Sequence, residues 1–250
     1  MGGAKIRRVG GKAGRRFARW CARAAILAGA ALSAYPPTPL PAQAGHPPDK
    51  SPYHDIKRGR SLIISGGYLG GDHGVVGVGP AEGPTATARF EVTFSKALVF
   101  YLGGTYGRMK RNVADPTKNQ ASHISGPIYT DIGIVEGGGH LNLTGLKTWH
   151  GMAPYIGASA GVIIANDPPV DTSGYVFQAK ALFGPEGGIR WYLGRRLALR
   201  TELRWMFWQL KYPLAYKQPS PDGSRVLPID ADDSEWTDHP WVTIGVAWTF

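Results

Sequence analysis

The chain has 250 residues, 28 Lys and Arg against 18 Asp and Glu, a formal net charge of +10 and a single cysteine. That length suits one domain, and one cysteine excludes both an intrachain disulfide framework and a Cys-based zinc site. The basic excess would suit a nucleic-acid binder until the charges are located. Eight of the basic residues, Lys5, Arg7, Arg8, Lys12, Arg15, Arg16, Arg19 and Arg23, precede the first acid. An apolar run over 24–34 follows, far short of the ~20 residues a membrane-spanning helix needs. A Pro-rich stretch then ends in Ala42-Gln43-Ala44, a small-x-small site. Basic head, short apolar middle and small-residue end predict a secretory signal peptide over 1–44, the alternative being an anchoring N-terminal helix. The Arg15-Arg16 pair lacks the flanking residues of a twin-arginine signal. Cleavage would remove Cys21 and all eight of those charges, leaving twenty Lys and Arg against eighteen acids, or +2. The basic balance therefore belongs to the leader, and nucleic acid is excluded as a partner.

Residues 45–60, with Pro47, Pro48 and Pro52, read as a periplasmic linker, and 61–250 as the folded domain. No helical period of useful length follows. Alternating segments predict eight strands at 61–69, 85–94, 97–109, 128–143, 152–164, 176–193, 196–210 and 241–250. Several exceed the five or six residues usual in soluble sheets and match the ~9 to 11 that cross a bilayer at a tilt. Connections are short at 95–96, 144–151 and 194–195, and long at 70–84, 110–127, 165–175 and 211–240. Short turns on one side and long loops on the other are the layout of an outer-membrane barrel, and an even strand count puts both ends of the domain on the turn side.

Each strand has two faces. In the second, Ala86, Ala88, Phe90, Val92 and Phe94 oppose Thr85, Thr87, Arg89, Glu91 and Thr93; in the last, Val242, Ile244, Val246, Trp248 and Phe250 oppose Trp241, Thr243, Gly245, Ala247 and Thr249. The fourth needs a register shift near Val135-Glu136 to keep its apolar residues on one side. Alternation does not say which face points inward, since a soluble lipocalin-like barrel buries the apolar one. Three features favour apolar-out. The apolar faces carry essentially no charge. Aromatics gather in two belts, Phe94, Phe100, Tyr155, Trp191, Tyr192, Trp248 and Phe250 by the turns, and Tyr68, Tyr106, Tyr129, Phe177, Trp205 and Phe207 by the loops. The polar faces carry a balanced set, Arg89, Lys180, Arg190, Arg200 and Arg204 against Glu91, Asp131, Glu136, Glu186 and Glu202, as mutual pairing in a confined lumen requires.

The fold class expected is all-β, an eight-stranded antiparallel up-and-down transmembrane β-barrel. The Gly-rich stretch Pro154-Tyr155-Ile156-Gly157-Ala158-Ser159-Ala160-Gly161 and the final Phe250 resemble the outer-membrane β-barrel domain family, the small eight-stranded barrels of Gram-negative bacteria. The resemblance implies that Phe250 belongs to the barrel-closing strand. It further implies residence in the cell outer membrane among lipid and lipopolysaccharide, and handling by periplasmic chaperones and the barrel-assembly machinery. The roles it implies are envelope integrity, surface adhesion or partner binding.

Eight strands enclose a space that side chains just fill, so the charged residues form a structural network and function falls to the loops. A narrow channel is the second reading. The third is a lipid A-modifying enzyme, for which His123 and Ser125, two apart in the second long loop with Asp131 nearby, are the catalytic candidates. Their surroundings do not match such deacylases, and no catalytic residue is assigned. No cofactor is called for. Asp222, Asp230, Asp232, Asp233, Glu235, Asp238 and His239 enrich the last long loop without calcium-loop spacing, so no metal site is assigned. His140 falls on the inner face as a hydrogen-bonded lumen residue, and Gly137-Gly138-Gly139 marks close strand approach or a bend.

Overall fold

A computed structural model describes residues 51–250 except 57, 58, 169, 170 and 172. The proposed signal peptide and the start of the linker lie outside these residues. Among the described residues, eight long antiparallel strands form the barrel: β2 (Arg60–Leu69), β3 (Gly83–Thr93), β4 (Leu98–Ala114), β5 (Ile124–Asn142), β7 (Met152–Ala165), β8 (Lys180–Tyr192), β9 (Leu197–Lys211) and β10 (Ser234–Thr249). Each pairs with the long strand next in sequence. β10 then closes on β2, from Trp241 opposite Leu69 to Thr249 opposite Ser61. The Phe250 backbone adds a reciprocal pair of hydrogen bonds with Arg60, at 2.9 and 3.2 Å.

Two short strands, β1 (Tyr53–Asp55) and β6 (Lys147–Trp149), pair with each other at the turn end. The expected linker is therefore partly ordered: its residues 53–55 complete a ladder with the β5–β7 connection, and Ile56 N–H donates to Leu146 O at 2.7 Å.

Four differences from the expected elements share a cause. β5 needs no shift at Val135-Glu136, because its register against β4 is unbroken from Ile128 to Leu141. Ile132 and Ile134 point inward on the same face as Glu136 and His140. The irregularity lies instead on β4, between Arg111 and Val113. β8 starts at Lys180, not 176, because Gln178 takes a left-handed backbone (φ 57°) and Tyr175 and Phe177 turn into the barrel. β10 starts at Ser234, seven residues early, its extra length pairing with β9 above the point where β2 ends. The loop end of the lumen is apolar, so inward residues there look like outward ones. Phe177, expected in a lipid-facing belt, is buried inside for the same reason; Tyr155 is buried too, its hydroxyl donating to Glu202, and Tyr192 is half-buried.

Candidate functional site

The lumen is filled in three layers, each built by the period-two alternation of the strands around it. At the turn end Ile63, Ala198 and Ala247 pack with Tyr192. The middle layer is ionic. β3 supplies Arg89 and Glu91, β5 Glu136 and His140, β8 Glu186 and Arg190, and β9 Arg200, Glu202 and Arg204, all at most 5 % exposed. Arg89 lies 3.1 Å from Glu202 and 3.3 Å from Glu136. Arg190 reaches Glu91 at 3.1 Å and the Asn142 side-chain oxygen at 3.0 Å. Arg200 bridges Glu91 and Glu202. Arg204 pairs with Glu136, donates to Ser159 Oγ at 2.8 Å and places Nε 3.2 Å from Glu186. The phenols of Tyr101 and Tyr155 donate to Glu186 (2.8 Å) and Glu202 (2.7 Å).

His140 closes the layer. Its Nε2 lies 2.7 Å from Glu186 Oε1 and its Nδ1 3.0 Å from Arg190 Nη2. Arg200 Nη2 stands 3.2 Å from Nε2 as well, and arginines only donate, so at least one ring nitrogen accepts and the ring carries no second proton. The imidazole is then neutral, and four arginines balance four glutamates. That cancellation is what makes so many buried charges tolerable. Gly138 makes room: a Cβ there would stand 2.5 Å from the Tyr101 ring.

The charge set expected from the sequence is corrected at two positions. Asp131 faces outward at the loop-side rim, where the Tyr106 hydroxyl bonds it. Lys180 lies over the Phe177 ring at 5.1 Å, apart from the acids. Arg89, Glu91, Glu136, Glu186, Arg190, Arg200, Glu202 and Arg204 do meet.

Above the ions lies an apolar layer. Leu69, Met109, Ile132, Ile134, Ile163, Leu182, Met206, Trp208 and Trp241 from the walls enclose Val76, Val78, Tyr175, Phe177, Tyr216 and Leu227 from the loops. The sequence reading missed this plug, because loop aromatics carry no strand period. Arg111 secures it, 2.6 Å from Asp171 with both side chains 1 % exposed, and its guanidinium lies 5.6 Å from the Tyr175 ring centre. Burial pushes the Asp171 carboxyl up, but bonds from Ser173 and Arg111 hold it below its ordinary value. Burial pushes the Tyr216 phenol up to about 12.

His123 and Ser125 do not form a catalytic pair. Ser125 is exposed on β5, whereas His123 is buried with Nε2 2.8 Å from Ser220 Oγ and 3.3 Å from Ser224 Oγ. Ser220 donates its proton to Pro116 O at 2.7 Å. The imidazole therefore donates to Ser220 rather than withdrawing its proton, and the contact is a clasp between the second and fourth loops. The fourth-loop acids are likewise used separately. Asp222 accepts from Ser224 and from Gln120 N–H, which hold its carboxyl at about 2. Asp233 pairs with Lys217, Glu235 accepts from Tyr212, and Asp238 accepts from Trp205 Nε1. Among the described residues, one group has metal-ligand proximity, His140, Glu186 and Glu202, with ligand atoms within 4.8 Å of one another. Arginine or tyrosine donors already occupy both carboxylates, and a divalent cation would add two charges to a neutral cluster. The site does not fit a metal.

The outer surface decides what kind of barrel this is. Leu62, Ile64, Leu102, Val135, Ile156, Val162, Ile189, Leu203, Val242, Ile244 and Val246 form an exposed apolar band. Phe94, Phe100, Trp191, Trp248 and Phe250 edge it at the turn end, and Tyr68, Tyr106 and Tyr129 at the loop end. A water-soluble protein does not expose such a band, and its aromatic rims are those of a membrane-spanning barrel. The chain is an eight-stranded transmembrane β-barrel. No protein-family model and no characterised protein matches its sequence. Among solved structures it is similar to Neisserial surface protein A, at 12% identity and TM-score 0.47, over 80% of this chain and 98% of that one. OprG of Pseudomonas aeruginosa gives 13%, 0.46, 78% and 98%. The N-terminal barrel domain of OprF from the same organism gives 10%, 0.41, 77% and 98%. The similarity is confined to the fold.

Proposed function

We propose that this outer-membrane barrel is a closed wall element that acts through its structural presence and its loop surface, in envelope integrity, adhesion or partner binding, and not as an enzyme. The filling of the lumen supports this: a neutral ionic layer crosses it, and a loop-borne apolar plug lies above. Its surroundings are outer-membrane lipid and lipopolysaccharide, and its biogenesis partners are periplasmic chaperones and the barrel-assembly machinery. Planar-bilayer recording tests the closed lumen. The expected trace shows no steps above leak, and a stable unitary conductance would replace this reading with a narrow channel. One observation favours that second reading: the upper seal belongs to loops and depends on the Arg111–Asp171 pair. Lipid A profiles with and without the protein are expected to be identical.

A further inference from the structure

The basic residues of the ionic layer and of the plug have partners. The β8–β9 turn differs. It presents Arg195 and Arg196 in succession, both exposed, and among the described residues neither guanidinium has an ion-pair or hydrogen-bond partner. Both border a cleft of about 790 Å³ at the turn end of the barrel. Ile56, Thr148, Gly151, Tyr192, Leu193 and Thr249 also line it. His54 adds a further nitrogen base. The lining holds one acid, Asp55, opposite Lys147 in the β1–β6 ladder, so the arginines leave the cleft a net positive charge. The cleft thus combines apolar wall residues with two arginines that make no ion pair among the described residues.

Its level in the membrane matters as much as its lining. Trp191, on the lipid-facing side of β8, and Leu193, just past the end of that strand, are both 54 % exposed. Trp248 marks the same rim on β10. Interfacial tryptophans sit at headgroup depth, so the arginines just beyond them lie where the phosphates of the turn-side leaflet lie. A guanidinium fork matches phosphate oxygens bidentately and is weakly hydrated, which suits a half-wet interface. A free aqueous anion would gain nothing from Leu193, whereas an amphiphile buries its first methylenes there.

We propose that this cleft is a binding site for the phosphate headgroup of an anionic lipid of the periplasmic leaflet, with Arg195 and Arg196 on the phosphate and Leu193 along the lipid's apolar start. This goes beyond the closed-wall reading and does not depend on whether the lumen conducts.

The test is native mass spectrometry of the protein without its basic leader 1–44, refolded in neutral detergent and titrated with short-chain phosphatidylglycerol. The same titration is run with phosphatidylcholine and, as a competitor, millimolar inorganic phosphate. Expected is retention of phosphatidylglycerol in preference to phosphatidylcholine, undisturbed by phosphate. The R195Q/R196Q double variant is expected to bind about tenfold more weakly. K96Q, which removes an exposed charge from the β3–β4 turn outside the cleft, is expected to bind as the parent does. Heat-modifiable migration checks that each variant is folded, and the single variants R195Q and R196Q carry the test if the double variant is not. The proposal is overturned if K96Q weakens binding as much as the double variant, if the arginine variants bind normally, or if phosphatidylcholine binds equally well. Displacement of the lipid by inorganic phosphate would also overturn it, in favour of a free-anion site.

Discussion

Replacing Arg204 by methionine probes the ionic layer at its most connected point. The guanidinium is 1 % exposed, pairs with Glu136, lies 3.2 Å from Glu186 and donates to Ser159. Methionine fills similar volume but leaves a net charge of −1 in a sealed lumen. Glu136 keeps Arg89 at 3.3 Å, and Glu186 keeps His140 and Tyr101, so neither carboxylate is bare. The dominant cost is the uncompensated buried charge, about 3–5 kcal/mol for a broken pair of this kind. With a urea dependence of about 2 kcal/mol per molar, the unfolding midpoint falls by about 2 M. The R204M/E136Q double variant restores neutrality and should recover about 1–3 kcal/mol relative to the sum of the single losses, E136Q included. Urea titration of the refolded protein in detergent micelles, scored by heat-modifiable migration, measures all four corners of the cycle. A shift of under 0.5 M for R204M, or strict additivity in the double variant, would refute the claim that charge cancellation holds this layer together; both thresholds are on the order of the handling error of such titrations.

Asp171→Asn leaves the Arg111 guanidinium buried without a counter-charge and should release the third loop from the lumen. Protease nicking within 166–179 of the intact barrel is expected to rise about tenfold or more, and unchanged nicking would remove the latch from the account. The same pair gives a pH dependence. A carboxyl held below its ordinary value contributes stability that is complete above the unfolded pKa of about 3.9 and disappears as pH falls through the folded value. Pepsin should therefore leave this loop intact at about pH 4 and cut it only in more acidic solution. Gly138→Ala sets a Cβ 2.5 Å from the Tyr101 ring and should cost about 1–3 kcal/mol, recovered in part by Tyr101→Leu; no loss in the same urea assay would show the ring free to move. Ile244, 65 % exposed near the middle of β10, faces lipid, so Ile244→Arg should cost about 2–4 kcal/mol in bilayers; a neutral outcome would contradict the outward assignment of that face.

Strand count, the short and long connections and the two faces of most strands follow from local pattern, because side chains on a strand alternate whatever the strand packs against. Arg89, Glu91, Arg200, Glu202 and Arg204 share their strands' inward parity, and that parity is visible in ten consecutive residues. The errors have an equally physical origin. The register shift expected near Val135-Glu136 is absent because Ile132 and Ile134 are inward apolar residues, chemically like outward ones, and where the lumen turns apolar the contrast that reveals the faces disappears. Asp131, expected among the lumen acids, differs for the converse reason, since a carboxylate at the rim facing headgroups has the composition of one inside.

Which charges pair, and that His140 lies among them as a neutral link, depends on barrel closure. Closure sets residues 113 positions apart, Arg89 and Glu202, within 3.1 Å of each other across the lumen. The plug is further from local pattern still, because Tyr175, Phe177, Tyr216 and Leu227 come from loops without periodicity. They enter the barrel because its loop end is lined by apolar side chains, Leu69, Met109, Ile132, Ile163 and Trp208 among them, against which they pack.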